Sequence, residues 1–454
     1  MARLNFEDFK NQLFAQASEK GFTDYELYYT SSNGFSVRVL AGEIQEYKDT
    51  AAEGAGFRGT YQGKMGYAYT ENLDPSVIPS LLENAMGNAS IIEDTEVEKL
   101  YPGDDSYQTV NCYDPVLNTV EAAQKIDWAM ALEKYVLSLD PKVTMADYCT
   151  IASEEHSMAI ANSYGLNLSQ KSNMGSAHVL ARVEADGQNK SASEIWRGRD
   201  FADFDYKKVA TEAVDKALSF LGASPVPSGQ YPIIFTKDTS ASILGVFLSV
   251  FFAERCQKGM SLLNKGKVGE TIAAPHLTLR DDPITEHSLV NLAFDAEGVA
   301  TQNKAIIENG VLKTLLYTTK SAEKDGVKST GNAIKMGFGG AITTGPTNLY
   351  LAPGTTSYDD MVASLDKGLV ITSMAGLHSG VNPVSGDFSV SAEGYYVEGG
   401  KVVKPVEQIT IAGNFYQLLK DVQTVGSDLQ IRTMNIAGIG APSILVSNLS
   451  VAGA

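Results

Sequence analysis

At 454 residues the chain exceeds one ordinary domain, and two or three are expected. Hydrophobic residues make up 44% and charged residues 20%, a globular composition that excludes the disordered and fibrous classes. The 54 acidic residues against 36 basic ones leave a net charge of −18, and no basic run exceeds a pair, which argues against direct contact with nucleic acid.

In chain order, Phe6 to Lys20 reads as a short amphipathic helix closed by Gly21. From Tyr25 to Thr70 the period changes to two, with turn signals at Ala41-Gly42 and Gln62-Gly63, which predicts an antiparallel meander. Asp74-Pro75 opens a helix through Met86, and a second helix is expected from about Thr119 to Ser138. Strands follow around Met145 to Ala161 and Ala177 to Ala185, then a helix over Tyr206 to Leu221 with an alanine-rich stripe. Gly222 to Gly229 holds two prolines and two glycines, the strongest boundary signal in the chain.

Beyond it, Tyr231 to Phe235 reads as a strand, and Thr239 to about Gln257 as one apolar helix. Two hairpins are predicted, at Asn309-Gly310 and Gly399-Gly400, with short helices near Asp359 to Lys367 and Asn414 to Gln423. The expected fold class is α+β with mostly antiparallel sheets. An α/β N-terminal domain would take residues 1–221, a linker 222–230, and a β-rich C-terminal domain residues 231–454.

Cys112, Cys149 and Cys256 form no CxxC pair and fit a reducing, cytoplasmic setting. The start Met1 to Lys10 lacks an apolar signal-peptide core. The longest apolar run, Ile243 to Ala253, falls short of the ~20 residues of a membrane span, so no membrane partner is expected.

Signatures for chemistry are sparse. There is no GxSxG elbow, P-loop or HExxH motif. The five histidines are His156, His178, His276, His287 and His378. None stands three to five residues from another, so no helical turn offers a metal two imidazoles. His378 lies in the glycine-flanked loop Gly376-Leu-His-Ser-Gly, which could line a cleft. Glu254 and Cys256 are ligand types, but no local histidine would hold the thiol as thiolate. Small polar residues alternate along Asp387-Phe-Ser-Val-Ser-Ala-Glu, giving Ser389, Ser391 and Glu393 one wettable face. A strand of this kind suits an extended peptide pairing along its main chain, and the spacing fits an ordinary half-exposed sheet equally well.

That same stretch carries a resemblance. Ser385-Gly-Asp-Phe-Ser, Glu393-Gly-Tyr-Tyr-Val-Glu-Gly-Gly-Lys-Val-Val-Lys-Pro-Val, Ile411-Ala-Gly-Asn-Phe and Val425-Gly-Ser-Asp-Leu closely resemble the TldD/PmbA family, whose members are often labelled modulators of DNA gyrase. The likeness continues in Phe294-Asp-Ala-Glu-Gly-Val, Ile307-Glu-Asn-Gly-Val-Leu, Ser329-Thr-Gly-Asn, Ala41-Gly-Glu-Ile-Gln-Glu and Asn162-Ser-Tyr-Gly, and so covers nearly the whole chain.

The resemblance implies a heterodimeric zinc metallopeptidase acting on unfolded or modified peptides. In such a pair the TldD-type subunit carries an HExxxH helix plus a late cysteine, and the PmbA/TldE-type subunit lacks them. Here the HExxxH positions fall near Leu244, Gly245 and Ser249. The late cysteine position falls near Met434 to Gly440, where no cysteine occurs. The expected function is thus a PmbA/TldE-like subunit with no catalytic or metal residue of its own. Zinc would reside in a TldD-like partner, extended peptides would be the substrates, His378, Asp387, Ser389, Val390, Ser391 and Glu393 would border the peptide cleft, and the chain could pair with itself when alone. The alternatives are a stand-alone peptide-binding adaptor and an independent hydrolase built on Cys256, His378 and Asp387. The gyrase label adds contact with a DNA-processing complex through protein surfaces.

Overall fold

The first half is organised by two-residue hairpin turns. Ala41 and Gly42 take φ of 54° and 74°, Gln62 and Gly63 take 51° and 80°, and Asp186 and Gly187 take 51° and 76°. Two successive left-handed residues match the right-handed twist of the strands they join. The result in the computed structural model, which describes residues 4–92, 99–434 and 437–454, is a six-stranded antiparallel sheet. Its spatial order is Lys64–Thr70, Glu43–Tyr61, Tyr25–Leu40, Val143–Asn162, Asn167–Ala185 and Gln188–Gly198.

One face of that sheet is covered in two patches. Helices Phe6–Glu19 and Ile78–Ile91 bury Phe9, Leu13, Leu81 and Leu82 against Leu27 and Phe57. Helices Ala122–Leu139 and Tyr206–Ser219 bury Leu132, Val136, Ala213 and Ala217 against Val37, Val179 and Ala181. The helix expected at Asp74-Pro75 begins instead with a 3-10 turn over Pro75–Val77, capped by the Asp74 carboxylate on Ser76 N, and runs past Met86 to Ile91.

In the second half, Ile444–Ala452, Gly229–Phe235, Lys367–Ala375, Asp387–Glu398 and Lys401–Asn414 pair in that spatial order. A further pairing of Thr410–Ala412 with Ser450–Ala452 closes them into a ring, with Val422–Val425 on its flank. A third sheet contains Leu279–Asp281, Lys304–Glu308, Asn348–Leu351, Ala437–Ala441 and Gln430–Met434. Among the described strands pairing is mostly antiparallel, with two parallel exceptions. Both predicted hairpins form, Asn309-Gly310 at φ 49° and 79° and Gly399-Gly400 at 56° and 72°.

The long helix expected over Thr239 to Gln257 is broken into three pieces: Lys237–Phe247, a 3-10 turn Leu248–Phe251, and Ala253–Gln257. Phe252 between them is extended, at φ −81° and ψ 120°. The cause is tertiary. Ala253 N donates to Leu316 O at 3.0 Å and Leu316 N to Phe251 O at 2.9 Å, bonds that an uninterrupted helix would forbid.

Candidate functional site

Helix Lys237–Phe247 follows directly from strand Gly229–Phe235 and is anchored at its start. Thr239 Oγ1 donates to Ile371 O at 2.9 Å, and Arg432 Nη2 pairs with Asp238 Oδ1 at 2.6 Å. Its far end is locked by Phe247, which stacks on Phe415 with ring centroids 4.5 Å apart. Leu244 is buried, Gly245 is half-buried and Ser249 sits in the following 3-10 turn. A β-carbon on Gly245 would lie 3.5 Å from Ile439 Cδ1 of strand Ala437–Ala441. The helix turn and the late strand that the resemblance pairs as ligand sources are therefore in contact, although Asn435 and Ile436 lie outside the described residues.

The donor set at that contact is two hydrocarbon side chains, a glycine and one serine hydroxyl. Zinc is held by imidazole nitrogen, thiolate or carboxylate, and these residues do not fit it. Among the described residues no three His, Cys, Asp or Glu side chains converge as a metal centre.

Glu254 and Cys256 are accounted for nearby. Glu254 pairs with Lys258 one turn on. Cys256 is buried, its Sγ 3.4 Å from Val250 O, and burial pushes the thiol up to about 11. A nucleophilic cysteine needs a depressed value and a basic neighbour. Asp387, the other arm of a hydrolase, is held low by Asn414 Nδ2 and Ser385 Oγ, each at 2.8 Å. Among the described residues no hydrogen bond or ion pair joins either of them to His378.

Strand Asp387–Glu398 alternates in burial as expected. Asp387, Ser389, Ser391 and Glu393 are exposed on one face, while Val390 turns into the core at 2% exposure. The His378 turn, itself exposed, is pressed onto the strand, with Ser389 N donating to Gly380 O at 2.7 Å. Main-chain strand addition is closed here, which corrects the expected binding mode. One flank is paired with Lys401–Asn414 along its whole length. The other is taken by Lys367–Ala375 and by the 380–382 turn. Only side chains are left to meet a ligand, and Val390 has none to offer.

The sequence reasoning missed a buried charge network between the first sheet and the second half. Arg58 donates twice to Glu26, at 2.7 and 3.1 Å, and both are nearly sealed from solvent. Glu297 accepts from Thr319 N at 2.8 Å and from the Thr319 hydroxyl. Asp295 accepts from Glu297 N, Val299 N and Ala333 N. The Lys335 ammonium sits 4.8 Å over the Tyr28 ring and is pushed down to about 8 by burial. The available signal was two acids set among Phe294, Ala296 and Val299.

This network has a pH signature. Unfolded, Asp295 ionises near 3.9 or so. Folded, burial and the Glu297 carboxylate push it up to about 8. The folded chain keeps a proton that the unfolded chain has lost, so this stability is complete below the ordinary value and is lost as pH rises through about 8. The free energy of unfolding should fall between about pH 6 and 8 by up to about 1.4 kcal/mol per pH unit, seen as a falling melting temperature. Glu297→Gln, by removing the repelling charge, should flatten the slope. A melting temperature that holds level or rises over that window in the wild type contradicts the assignment.

A groove of about 970 Å³ lies on the first sheet beside the start of helix Phe6–Glu19, lined by Tyr29, Ser31, Ser157 and Gln170. Its carboxylates already have partners: Glu7 has Lys10 and Asn167, Asp8 has Asn5, Glu53 has Tyr29, and Glu155 has Asn118.

Comparison with known proteins agrees with this architecture. Models of the PmbA/TldA metallopeptidase family match in three parts: domain 1 over residues 25–89, the central domain over 115–221 and the C-terminal domain over 228–453. The chain is 25% identical to the metalloprotease PmbA of Escherichia coli O157:H7, over 94% of this chain and 92% of that one. It is 24% identical to a metalloprotease TldD homolog of Haemophilus influenzae, over 97% and 95%. The crystal structure of a Thermotoga maritima MSB8 protein named as a modulator of a DNA gyrase superposes with a TM-score of 0.88 at 31% identity, over 99% of this chain and 100% of that one. TldE from Thermococcus kodakarensis shares the fold, with a TM-score of 0.88 over 98% and 99%. With three family domains in register along it and a relative of that identity over its full length, the chain belongs to the PmbA/TldD metallopeptidase family.

Proposed function

We propose that this chain is the PmbA/TldE-type, non-zinc subunit of a two-chain metallopeptidase that cleaves extended peptides beside a TldD-like partner. The observation that carries this is the turn at Leu244, Gly245 and Ser249. It packs against Ile439 as a metal-bearing helix would, yet offers zinc no nitrogen, thiolate or carboxylate. The chain's own contribution is then shape and side chains: Ser389, Ser391, Glu393 and Asp387 on one face, with His378 beside them, would border the path of the substrate. Cytoplasmic residence belongs to the same proposal and rests on three unpaired, buried cysteines.

Reconstitution with a TldD-like chain tests it. Cleavage of an unstructured peptide should be absent with this chain alone and appear, chelator-sensitive, with the pair. Chelator-sensitive cleavage by this chain alone would overturn the proposal. Tight peptide binding with no gain on adding the partner would favour the adaptor instead.

A further inference from the structure

Strand Gln188–Gly198 forms one margin of the first sheet and, among the described strands, has a single neighbour, Asn167–Ala185. Its left-handed turn at Asp186-Gly187 makes Ala185 and Gln188 a hydrogen-bonded pair. Antiparallel pairing alternates from there, so Asn189, Ser191, Ser193, Ile195 and Arg197 turn their N–H and C=O groups away from the sheet. All five residues are exposed. Among the described residues no backbone group outside the sheet bonds to them, and the Ile195 N–H meets only the carboxylate of Glu194, at 3.3 Å.

Natural sheet margins are blunted by proline, a bulge, short length or a covering element. This one runs 11 residues, about 35 Å, with no proline and no break in register. The opposite margin shows the contrast. Lys64–Thr70 is 7 residues long, Asn88 Nδ2 caps Tyr67 O at 2.7 Å, and Lys64 Nζ binds Ile92 O at 2.7 Å.

Side chains leave the long margin open. Lys190 and Glu194 are engaged with Glu407 and Lys216, and Ser191 and Ser193 are too small to hold another backbone off. At the strand's end Arg197 makes no ion pair or hydrogen bond among the described residues. It lies within the field of Arg432, itself bonded to Asp238 of helix Lys237–Phe247, and of the Glu154 carboxylate, which attracts it.

We propose that the margin Gln188–Gly198 accepts an extended, proline-free peptide segment as an added antiparallel or parallel strand, with the Arg197 guanidinium taking a carboxylate of that segment. Main-chain pairing supplies sequence-tolerant affinity, and the strand leads toward the helix whose turn lacks metal donors. From the functional reading this takes only that the ligand is an extended peptide.

Amide hydrogen exchange on the whole chain tests it, with reduced, carboxymethylated α-lactalbumin as an unfolded probe. Exchange at Asn189, Ser191, Ser193, Ile195 and Arg197 should slow on adding the probe. Ser193→Pro removes only an outward N–H, so it should fold and weaken probe binding about tenfold by fluorescence anisotropy. Ser193→Ala should bind as wild type. If the proline variant does not fold, exchange in the wild type decides. No probe binding, or unchanged exchange at these amides under saturation, overturns the proposal. So does protection that needs no probe and grows with protein concentration, which would assign the edge to a second copy. Either failure leaves zinc content and partner-dependent cleavage untouched, so the two readings stand or fall separately.

Discussion

Arg58→Ala should lower the free energy of unfolding by about 3–5 kcal/mol, the usual cost of orphaning a buried charge. Arg58 is 5% exposed, Glu26 is 2% exposed, and Arg58 donates to it at 2.7 and 3.1 Å. Glu297 lies in the same field, so losing the cation leaves more than one buried carboxylate uncompensated. The remedy for those carboxylates is to take up protons, so the variant should lose most stability at alkaline pH. Urea unfolding at neutral pH measures the loss. The double variant Arg58→Met, Glu26→Met should recover much of it, because an apolar pair replaces an ion pair whose desolvation cost is gone. A single-variant loss below about 1 kcal/mol would mean water reaches the pair, since exposed pairs contribute no more than that.

Gly394→Ala should cost about 3 kcal/mol or more, at the upper end for overpacking. An added β-carbon there would lie 1.8 Å from Val370 O, a backbone atom that cannot swing aside. Gly394 also sits where both neighbouring strands slip register, between Ala392 and Gly394 on one side and Ile371 and Ser373 on the other. A bulge of this kind bends its strand, and the bend helps the ring of strands close. The variant should therefore unfold at clearly lower denaturant, or fail to accumulate. Gly399→Ala, whose β-carbon meets nothing within 4 Å, should pay only for its left-handed φ of 56°. Equal midpoints for the two variants would refute the close-approach argument.

How much was legible follows from what is local. The hairpins at Ala41-Gly42, Asn309-Gly310 and Gly399-Gly400 were readable because a two-residue left-handed turn writes itself in adjacent residues. The alternation from Asp387 to Glu393 was readable because one face packs and one does not. The break at Phe252 was not, since its cause is Leu316, sixty-odd positions away. Strand Gln188–Gly198 was overlooked because Asn189, Lys190, Ser191, Ala192 and Ser193 carry no apolar period. Its place at a margin, like the pairing of Asp387–Glu398 on both flanks, depends on partners that sequence spacing does not name. That Gly245 touches Ile439 needed the fold.

Zinc content of the purified chain tests the central claim most directly. The chain should be expressed alone, dialysed against metal-free buffer and measured for zinc per chain, beside a complex with a TldD-like partner. The account predicts a negligible fraction of zinc in this chain alone and about one zinc per pair in the complex, since a catalytic site holds one ion through three protein ligands. About one zinc per chain retained by the isolated protein through dialysis would contradict it.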